Sequence, residues 1–360
     1  MLYGTFAALV AATLFYITDP YGNPRYRGPV SDHFDGKRFY NPEPFQRHGF
    51  RDFVNWQLHA QRGFWPELIE KPCVSLPPRT VEGGGMRVTF INHSTALIQT
   101  AGLNILTDPV WSRRVGPVSW LGPRRHRTPG LRLDDLPPID VILLSHNHYD
   151  HLDIPTLRII AQAHHPQFIV PLGVKAVLDA KTLGTSIELD WWDASGLPRG
   201  MRVTAVPARH FSGRGFRDQN NALWCGYVLE TPGGRIYFAG DTGYGPHLAE
   251  IASKFAPLRL ALLPIGAYKP AWFMAPVHIS PQEAVRAHQE LESSTSVGIH
   301  FGAFALADDG EQDPVTDLER ALDEAGIPKS RFWALEAGEG RDVPLTPAVP
   351  KVSLRFPAAN

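Results

Sequence analysis

The chain has almost no cysteine. Cys73 and Cys225 are the two among 360 residues, too few for a disulfide framework or a thiolate metal site. Any metal held here must be ligated by nitrogen and oxygen. Net charge is also missing: 35 basic against 36 acidic side chains leave a formal charge of -1, so no global field draws the protein to nucleic acid. Internal repeats and low-complexity tracts are absent as well. Residues 1–18, MLYGTFAALVAATLFYIT, carry no charged side chain. That run is near the lower limit for crossing a hydrocarbon layer of ~30 Å at ~1.5 Å rise per residue. It makes a poor signal peptide, because no Lys or Arg precedes it and no small-x-small site follows before Asp19. It reads as a membrane anchor, with a buried helix packed on the domain as the alternative. If it spans, the Arg25, Arg27, Lys37 and Arg38 that follow it put the rest of the chain in the cytoplasm. A soluble cytoplasmic protein is the other reading.

Histidine, by contrast, is plentiful, with fifteen residues that cluster instead of scattering. The length allows one large domain or two modest ones. Residues 19–85 are rich in Pro, Arg and aromatics and read as an arm wrapping the domain, with one helix near 50–62. After Gly83 to Gly85 the texture becomes short β-rich runs, MRVTFIN, TALIQT and LNILTD, the pattern of an antiparallel meander. A loop with Arg113, Arg114, Arg124, Arg125, His126 and Arg127 follows, then the apolar strand IDVILLS. Beyond it, helical and strand patterns alternate: IPTLRIIAQAH, FIVPL, VKAVLDAKTL, MRVTAVPARH, ALWCGYVLE, RIYFAGD, LRLALLPIG, PQEAVRAHQELE, SVGIH and PVTDLERALDEAG. Two mixed sheets with helices outside are expected over residues 86–345, leaving 346–360 as a tail. The α/β class follows from that alternation.

The strand IDVILLS runs into SHNHYDHLD, where His146, His148, Asp150 and His151 fall within six residues. At a period of two, His146 and His148 project to one side, and the following turn lets Asp150 and His151 face a second point nearby. One stretch can therefore begin two metal sites. Unpaired, so many polar groups behind a buried strand would cost several kcal/mol, which a divalent cation repays. His210, Asp241 and His300 stand at later strand ends, where connecting loops gather functional groups on one rim. A structural zinc is usually closed by four ligands, often cysteines. Seven nitrogen and oxygen ligands shared by two ions leave positions for water, and hence for catalysis.

HxHxDH with a later His, Asp and His resembles the metallo-β-lactamase superfamily, whose fold is a four-layered αβ/βα sandwich. Within it, FINHSTALIQ, ILTDPVWS, PPIDVILLSHNHYDHLD, FIVPLG, ELDWW, FAGDTGYGP, LLPIGAYKPAWFM, HISPQEAVRAH and IHFGAFALADD are similar to the N-acyl-phosphatidylethanolamine-hydrolysing phospholipase D family, from about Met86 to Ala325. The resemblance implies two zinc ions, one held by His146, His148 and His210, the other by Asp150, His151 and His300, with Asp241 bridging. It implies that Asp150 and Asp241 serve catalysis and that Tyr149 and His278 face the substrate head group. Two plainer roles stay open: Tyr149 braces the loop, and His278 caps the helix that starts near Pro281. Asp108 and Asp153 are expected to orient ligand imidazoles, not to ligate.

The implied activity is hydrolysis of a phospholipid phosphodiester to phosphatidic acid and an N-acylethanolamine by metal-activated hydroxide. Membrane contact would use the aromatic arm (Phe39, Tyr40, Phe45, Phe50, Phe53, Trp56, Phe64, Trp65) and the basic loop Arg113 to Arg127; packing of the arm into the core is the alternative. Rival readings are a lactonase or soluble phosphodiesterase on the same fold, a nuclease, which the near-zero charge disfavours, and a non-enzymatic metal-binding protein, which the full ligand set disfavours. The oligomeric state stays open, a homo-oligomer included.

Overall fold

The computed structural model describes residues 22–43, 48–70, 76–181, 183–215 and 217–345. The candidate anchor at 1–18, the tail at 346–360, Phe45 and Cys73 lie outside the described residues, as does the side chain of Phe50.

Two seven-stranded sheets form the centre. The first contains β1 (Met86–Asn92), β2 (Thr95–Thr100), β3 (Leu103–Thr107), β4 (Val141–Leu143), β5 (Gln167–Pro171), β6 (Ser186–Leu189) and β14 (Gly340–Asp342), in the order β14-β1-β2-β3-β4-β5-β6. The second contains β7 (Ala194–Gly196), β8 (Arg202–Val206), β9 (Gly226–Thr231), β10 (Gly234–Phe238), β11 (Leu260–Pro264), β12 (Thr295–Ile299) and β13 (Phe332–Trp333), in the order β13-β12-β11-β10-β9-β8-β7. Each sheet joins an antiparallel half to a parallel half. In the first, β3 to β6 run parallel; in the second, β10 to β13 do. Parallel strands need crossovers, and these supply the helices.

Side chains alternate along the strands and sort the layers. Val141 and Leu143 of β4, and Leu260 and Leu262 of β11, meet in the core between the sheets. Ile142 and Leu144 face the outer side, where α2 (Ile154–His164) and α3 (Lys175–Ala180) cover the first sheet with Leu157, Ile160, Val177 and Leu178. Ala261 and Leu263 face α4 (His247–Phe255), α6 (Pro281–Glu290) and α7 (Asp313–Ala325) through Leu248, Ile251, Val285 and Leu318. Both sheets are thus buried on both faces, which gives the four-layered sandwich expected from the sequence.

Local chemistry sets the helix ends. Pro281 occupies the first turn of α6, and Ser280 and Glu283 exchange hydrogen bonds in a capping box. The cap is therefore Ser280, not His278. At the other end of α7, Gly326 takes a left-handed conformation (φ 66°) and Ile327 N–H closes on Leu322 O at 2.9 Å.

The arm divides by burial. Phe34 and Phe39 pack fully inside against Leu223 and Trp224, and Trp56 of α1 (Phe50–His59) stacks on Phe273 of α5 (Ala271–Met274) and donates to Asp308 at 3.0 Å. Those aromatics serve the core. Phe53 and Phe64 stay in solvent, Phe64 at 82% exposure, while Tyr40 and Trp65 are half-buried. The basic loop divides too, so only some of its cations can meet an anionic surface. Arg125 is buried over the Phe304 ring and donates to Asn92 Oδ1 and Val110 O, and Arg127 is buried against Glu311 and Glu336. Arg113, Arg114 and Arg124 keep access to water, as does Trp120, 74% exposed. Among the described residues, no helix is long and apolar enough to cross a membrane.

Candidate metal centre

The residues of interest follow strand ends on one rim of the sandwich. His93 sits between β1 and β2, Asp108 after β3, the SHNHYDHLD loop after β4, His210 after β8, Asp241 after β10 and His300 directly after β12. His93, Asp108 and His300 have φ of 48°, 31° and 61°, a left-handed backbone that costs an ordinary residue about 1–3 kcal/mol and gathers where function requires it. Gly240, at φ 60°, stands where two of these loops meet. A Cβ on it would lie 2.5 Å from Ser145 Cβ, so only glycine lets the Asp241 loop close on the histidine loop.

Two groups meet there. In the first, His148 Nδ1 lies 2.8 Å from His146 Nε2 and 3.3 Å from His210 Nε2. In the second, Asp150 Oδ2 lies 3.4 Å from His151 Nε2, 3.5 Å from His300 Nε2 and 3.0 Å from His93 Nε2. Asp241 touches both: its Oδ2 is 3.1 Å from His151 Nε2 and from His300 Nε2, and 3.7 Å from His210 Nε2. The structure therefore brings together all seven residues singled out as ligands and adds His93, which the sequence reading passed over.

The donor set fits cations. His146 Nδ1–H donates to Ser145 Oγ at 2.9 Å, His210 Nδ1–H to Val277 O at 3.0 Å and His151 Nδ1–H to Asp108 Oδ2 at 2.6 Å. Each bond turns Nε2 toward the centre, and in His146 and His210 it fixes the neutral tautomer whose Nε2 lone pair faces inward. Ser145 gives its own hydroxyl hydrogen to Asp108 Oδ2 at 2.5 Å, so Asp108 orients His151 directly and His146 through Ser145, as expected. Asp153 does not orient a ligand. It receives Trp111 N–H, Ser112 N–H and the Ser112 and Thr156 hydroxyls, and thereby ties the loop after β3 to α2. Buried nitrogens and oxygens aimed at the centre, His151 Nε2, His300 Nε2 and Asp241 Oδ1, have no hydrogen-bond partner. Such buried polar atoms need a compensating charge or donor.

Electrostatics divides the groups in the metal-free protein. Burial and neighbouring histidines hold His146 and His210 well below the usual imidazole range, and burial brings His148 down to about 4; these rings are neutral ligands. Burial also lowers His93 to about 3 and His278 to about 4. For His300, burial is outweighed by Asp241 and Asp150, which carry it up to about 9, and His151 is raised for the same reason. The paired carboxylates of Asp150 and Asp241 fall well below their usual range despite burial. Protons thus stand on two rings beside anionic oxygens.

His278 is partly buried beside Asp241, with Nδ1 at 4.0 Å from Oδ2. Tyr149 donates its hydroxyl to Arg214 O at 2.8 Å, while the Arg214 guanidinium lies 4.0 Å over its ring and donates to Asn147 O and Leu152 O. A cavity of about 680 Å³ opens beside Tyr149, floored by Leu152, Ile154 and Val177 and edged by Arg113 and Arg114.

Known proteins are similar over most of the chain. Residues 103–301 match the model of the beta-lactamase superfamily domain. An uncharacterized protein of Mycobacterium tuberculosis is 37% identical over 332 residues, 89% of this chain and 86% of that protein. N-acyl-phosphatidylethanolamine-hydrolyzing phospholipase D 1 of Caenorhabditis elegans is 39% identical over 294 residues, 76% of this chain and 82% of that one. The isothiocyanate hydrolase from Delia radicum gut bacteria shares the fold, with a TM-score of 0.57 at 18% identity over 71% of this chain and 98% of that one. By fold, family model and relatives together, the chain belongs to the beta-lactamase superfamily as a metal-dependent hydrolase, alongside relatives that include N-acyl-phosphatidylethanolamine-hydrolyzing phospholipase D enzymes.

Proposed function

We propose that the chain hydrolyses a phosphodiester of N-acyl-phosphatidylethanolamine-type phospholipids, giving phosphatidic acid and an N-acylethanolamine, with two zinc ions. The observation that carries this reading is the convergence of His146, His148 and His210 on one point and Asp150, His151 and His300 on another, with Asp241 in reach of both. The first three would hold one ion and the second three the other, with Asp241 between them. When bound, such ions supply Lewis acidity and bring the pKa of a bound water toward neutrality.

The chain's own residues do the rest. Asp150 offers an oxygen that can accept a hydrogen bond from the attacking water and keep its lone pair turned toward phosphorus. His278, neutral and partly buried beside Asp241, presents a ring nitrogen to a phosphoryl oxygen or the leaving alcohol. Tyr149, clamped by Arg214, forms the wall between the rim and the 680 Å³ cavity. That cavity's apolar floor and cationic edge suit an acyl chain and an anionic head, which favours a lipid over a small lactone or soluble diester. Exposed Phe64 and Trp120 with Arg113 and Arg124 would meet an anionic membrane surface.

Product identification by mass spectrometry tests the substrate. Purified protein is offered N-acylated phospholipids, plain phospholipids and lactones, and its metal content is measured in the same preparation. Phosphatidic acid and N-acylethanolamine formed from the first class alone support the proposal; turnover confined to lactones would overturn it and leave the fold assignment intact.

A further inference from the structure

Asn41, in the arm, donates Nδ2–H to the main-chain carbonyl of His210 at 2.9 Å. Its Oδ1 is buried with no hydrogen-bond partner among the described residues. An unpaired buried oxygen costs stability, and the bond made by the nitrogen is what offsets it. The carbonyl two residues before His210 is held as well. Trp224 Nε1–H reaches Ala208 O at 2.9 Å, Trp191 Nε1–H reaches Trp224 O at 2.7 Å, and the Trp191 ring stacks on His33 with centroids 4.3 Å apart. Both lines lead from His210 to one short stretch of the arm.

That stretch, residues 31–41, folds as a hairpin. In its turn Asp35 Oδ1 accepts Lys37 N–H and Arg38 N–H at 2.7 Å each, and across it His33 O accepts Tyr40 N–H at 2.9 Å. His33, itself buried, docks the hairpin on the domain. Its Nε2 lies 2.7 Å from Oδ1 of Asp190, which directly follows β6, and its Nδ1 lies 2.6 Å from Asp32 Oδ1. A carboxylate has no hydrogen to give, so both ring nitrogens must donate and the ring is an imidazolium. Burial opposes that charge, but the bonds to Asp190 and Asp32 outweigh it and raise the ring above its ordinary pKa of about 6.5. Docking is therefore complete below about 6.5 and weakens as pH rises through the higher value in the folded protein. The Asp190 bond then loses its charge assistance, and Asp32, an exposed side chain, is free to turn to water. Other titratable groups surround the ring. Asp193 accepts Asp190 N–H at 3.1 Å, and Tyr26, its hydroxyl raised by burial, packs on Phe34 and Phe39. Across the adjoining cavity stand Glu43, Arg209, Glu250 and His247, the last held down at about 3 by burial and Arg209.

We propose that the hairpin 31–41 is a positioning element of the metal centre: His33, paired with Asp190, docks it, and Asn41 holds the His210 carbonyl so that the ring keeps its aim. This role rests on the reading of His210 as a metal ligand. His33 and Asn41 offer the centre no atom of their own and act through His210, as hydrogen-bond partners behind a ligand do.

Histidine-selective nitrogen NMR of the chelator-treated full chain tests the coupling without a metal. With rising pH, His33 should lose its second proton above about 6.5, and the His210 resonances should shift with the same midpoint. In Asn41→Leu, which keeps the volume and removes the unpaired oxygen, His33 should still titrate while His210 no longer follows. Zinc competition with a chromophoric chelator then reads the consequence. At about pH 6, where the imidazolium is intact, affinity at the His146, His148 and His210 group should fall ~10-fold in Asn41→Leu and about threefold in His33→Gln, with the second group within about twofold. As pH rises through the His33 transition the His33→Gln deficit should shrink, because the wild type loses its imidazolium too. A His33 transition at or below ~6.5, His210 resonances that ignore it, or unchanged affinity of the first group in both variants would overturn the assignment. If the wild-type chain binds no zinc, the ligand reading fails by itself, and the coupling in the metal-free chain still decides whether the hairpin positions His210.

Discussion

Replacing Asp108 by asparagine keeps the volume of a fully buried side chain and changes what one of its atoms can accept. The carboxylate receives Ser145 N–H at 2.7 Å, Ser145 Oγ–H at 2.5 Å and His151 Nδ1–H at 2.6 Å. An asparagine can keep the amide bond through its oxygen, but its NH2 then faces two donors. The Ser145 hydroxyl can rotate; the His151 ring, held in place by packing, cannot. A hydrogen bond to a charged group contributes about 1.5–3 kcal/mol, and a buried donor left unpaired costs about 1–3 kcal/mol. The metal-free variant should therefore be destabilised by about 2–4 kcal/mol. At about 2–3 °C per kcal/mol for a domain of this size, the melting temperature should fall by several degrees. His151 Nε2 would also lose its aim, so affinity at the Asp150, His151 and His300 group should drop ~10- to 100-fold. Calorimetry of chelator-treated protein reads the first effect, and competition with a chromophoric chelator reads the second. A melting temperature within ~1 °C of wild type, with metal affinity within about threefold, would refute the idea that Asp108 holds the ligand rings in register.

Other outcomes follow from the same geometry. At pH 7 the metal-free protein carries protons on His151 and His300, both raised by Asp241 and Asp150, His300 to about 9. Ligation needs those lone pairs, so metal addition in weak buffer should release protons, and apparent affinity should rise with pH until about 9; a pH indicator that registers no release contradicts the placement of the second group. His93→Phe keeps a ring beside His300 but removes the donor to Asp150, so bound metal should fall from two toward one per chain, read by elemental analysis; unchanged stoichiometry and affinity would leave His93 without a role at the centre. Phe64→Ser with Trp120→Ser should lower sedimentation with anionic vesicles several-fold and leave metal content alone, and equal sedimentation would move membrane contact to another surface.

Much of this arrangement is written locally in the chain, and some of it is not. β1, β2 and α2 coincide with the runs MRVTFIN, TALIQT and IPTLRIIAQAH, because each combines a clear hydrophobic pattern with turn or proline punctuation. β6, β7, β13 and β14 escaped: they have two to four residues each and are defined by pairing to sheet edges, not by pattern. α4 escaped because its N-cap, Pro246, offers no side-chain cap to announce a start. Six-residue spacing made the HxHxDH ligands legible. His93 was not, since its partners Asp150 and His300 are remote in sequence; the available signal was its position between two strands in a left-handed turn that normally favours Gly or Asn. Nor could sequence divide the arm's aromatics or the loop's arginines, because their burial depends on surfaces, such as Trp224, Asn92 and Glu311, supplied by distant strands and loops.

The central claim is that residues from four strand ends hold two ions across Asp241. Anomalous diffraction at the zinc edge, from crystals of the metal-loaded protein, tests it most directly. The account predicts two peaks, one ~2 Å from the inward nitrogens of His146, His148 and His210, the other from those of His151 and His300 with Asp150, and Asp241 oxygens reaching both. A single peak, or peaks away from these side chains, would contradict it.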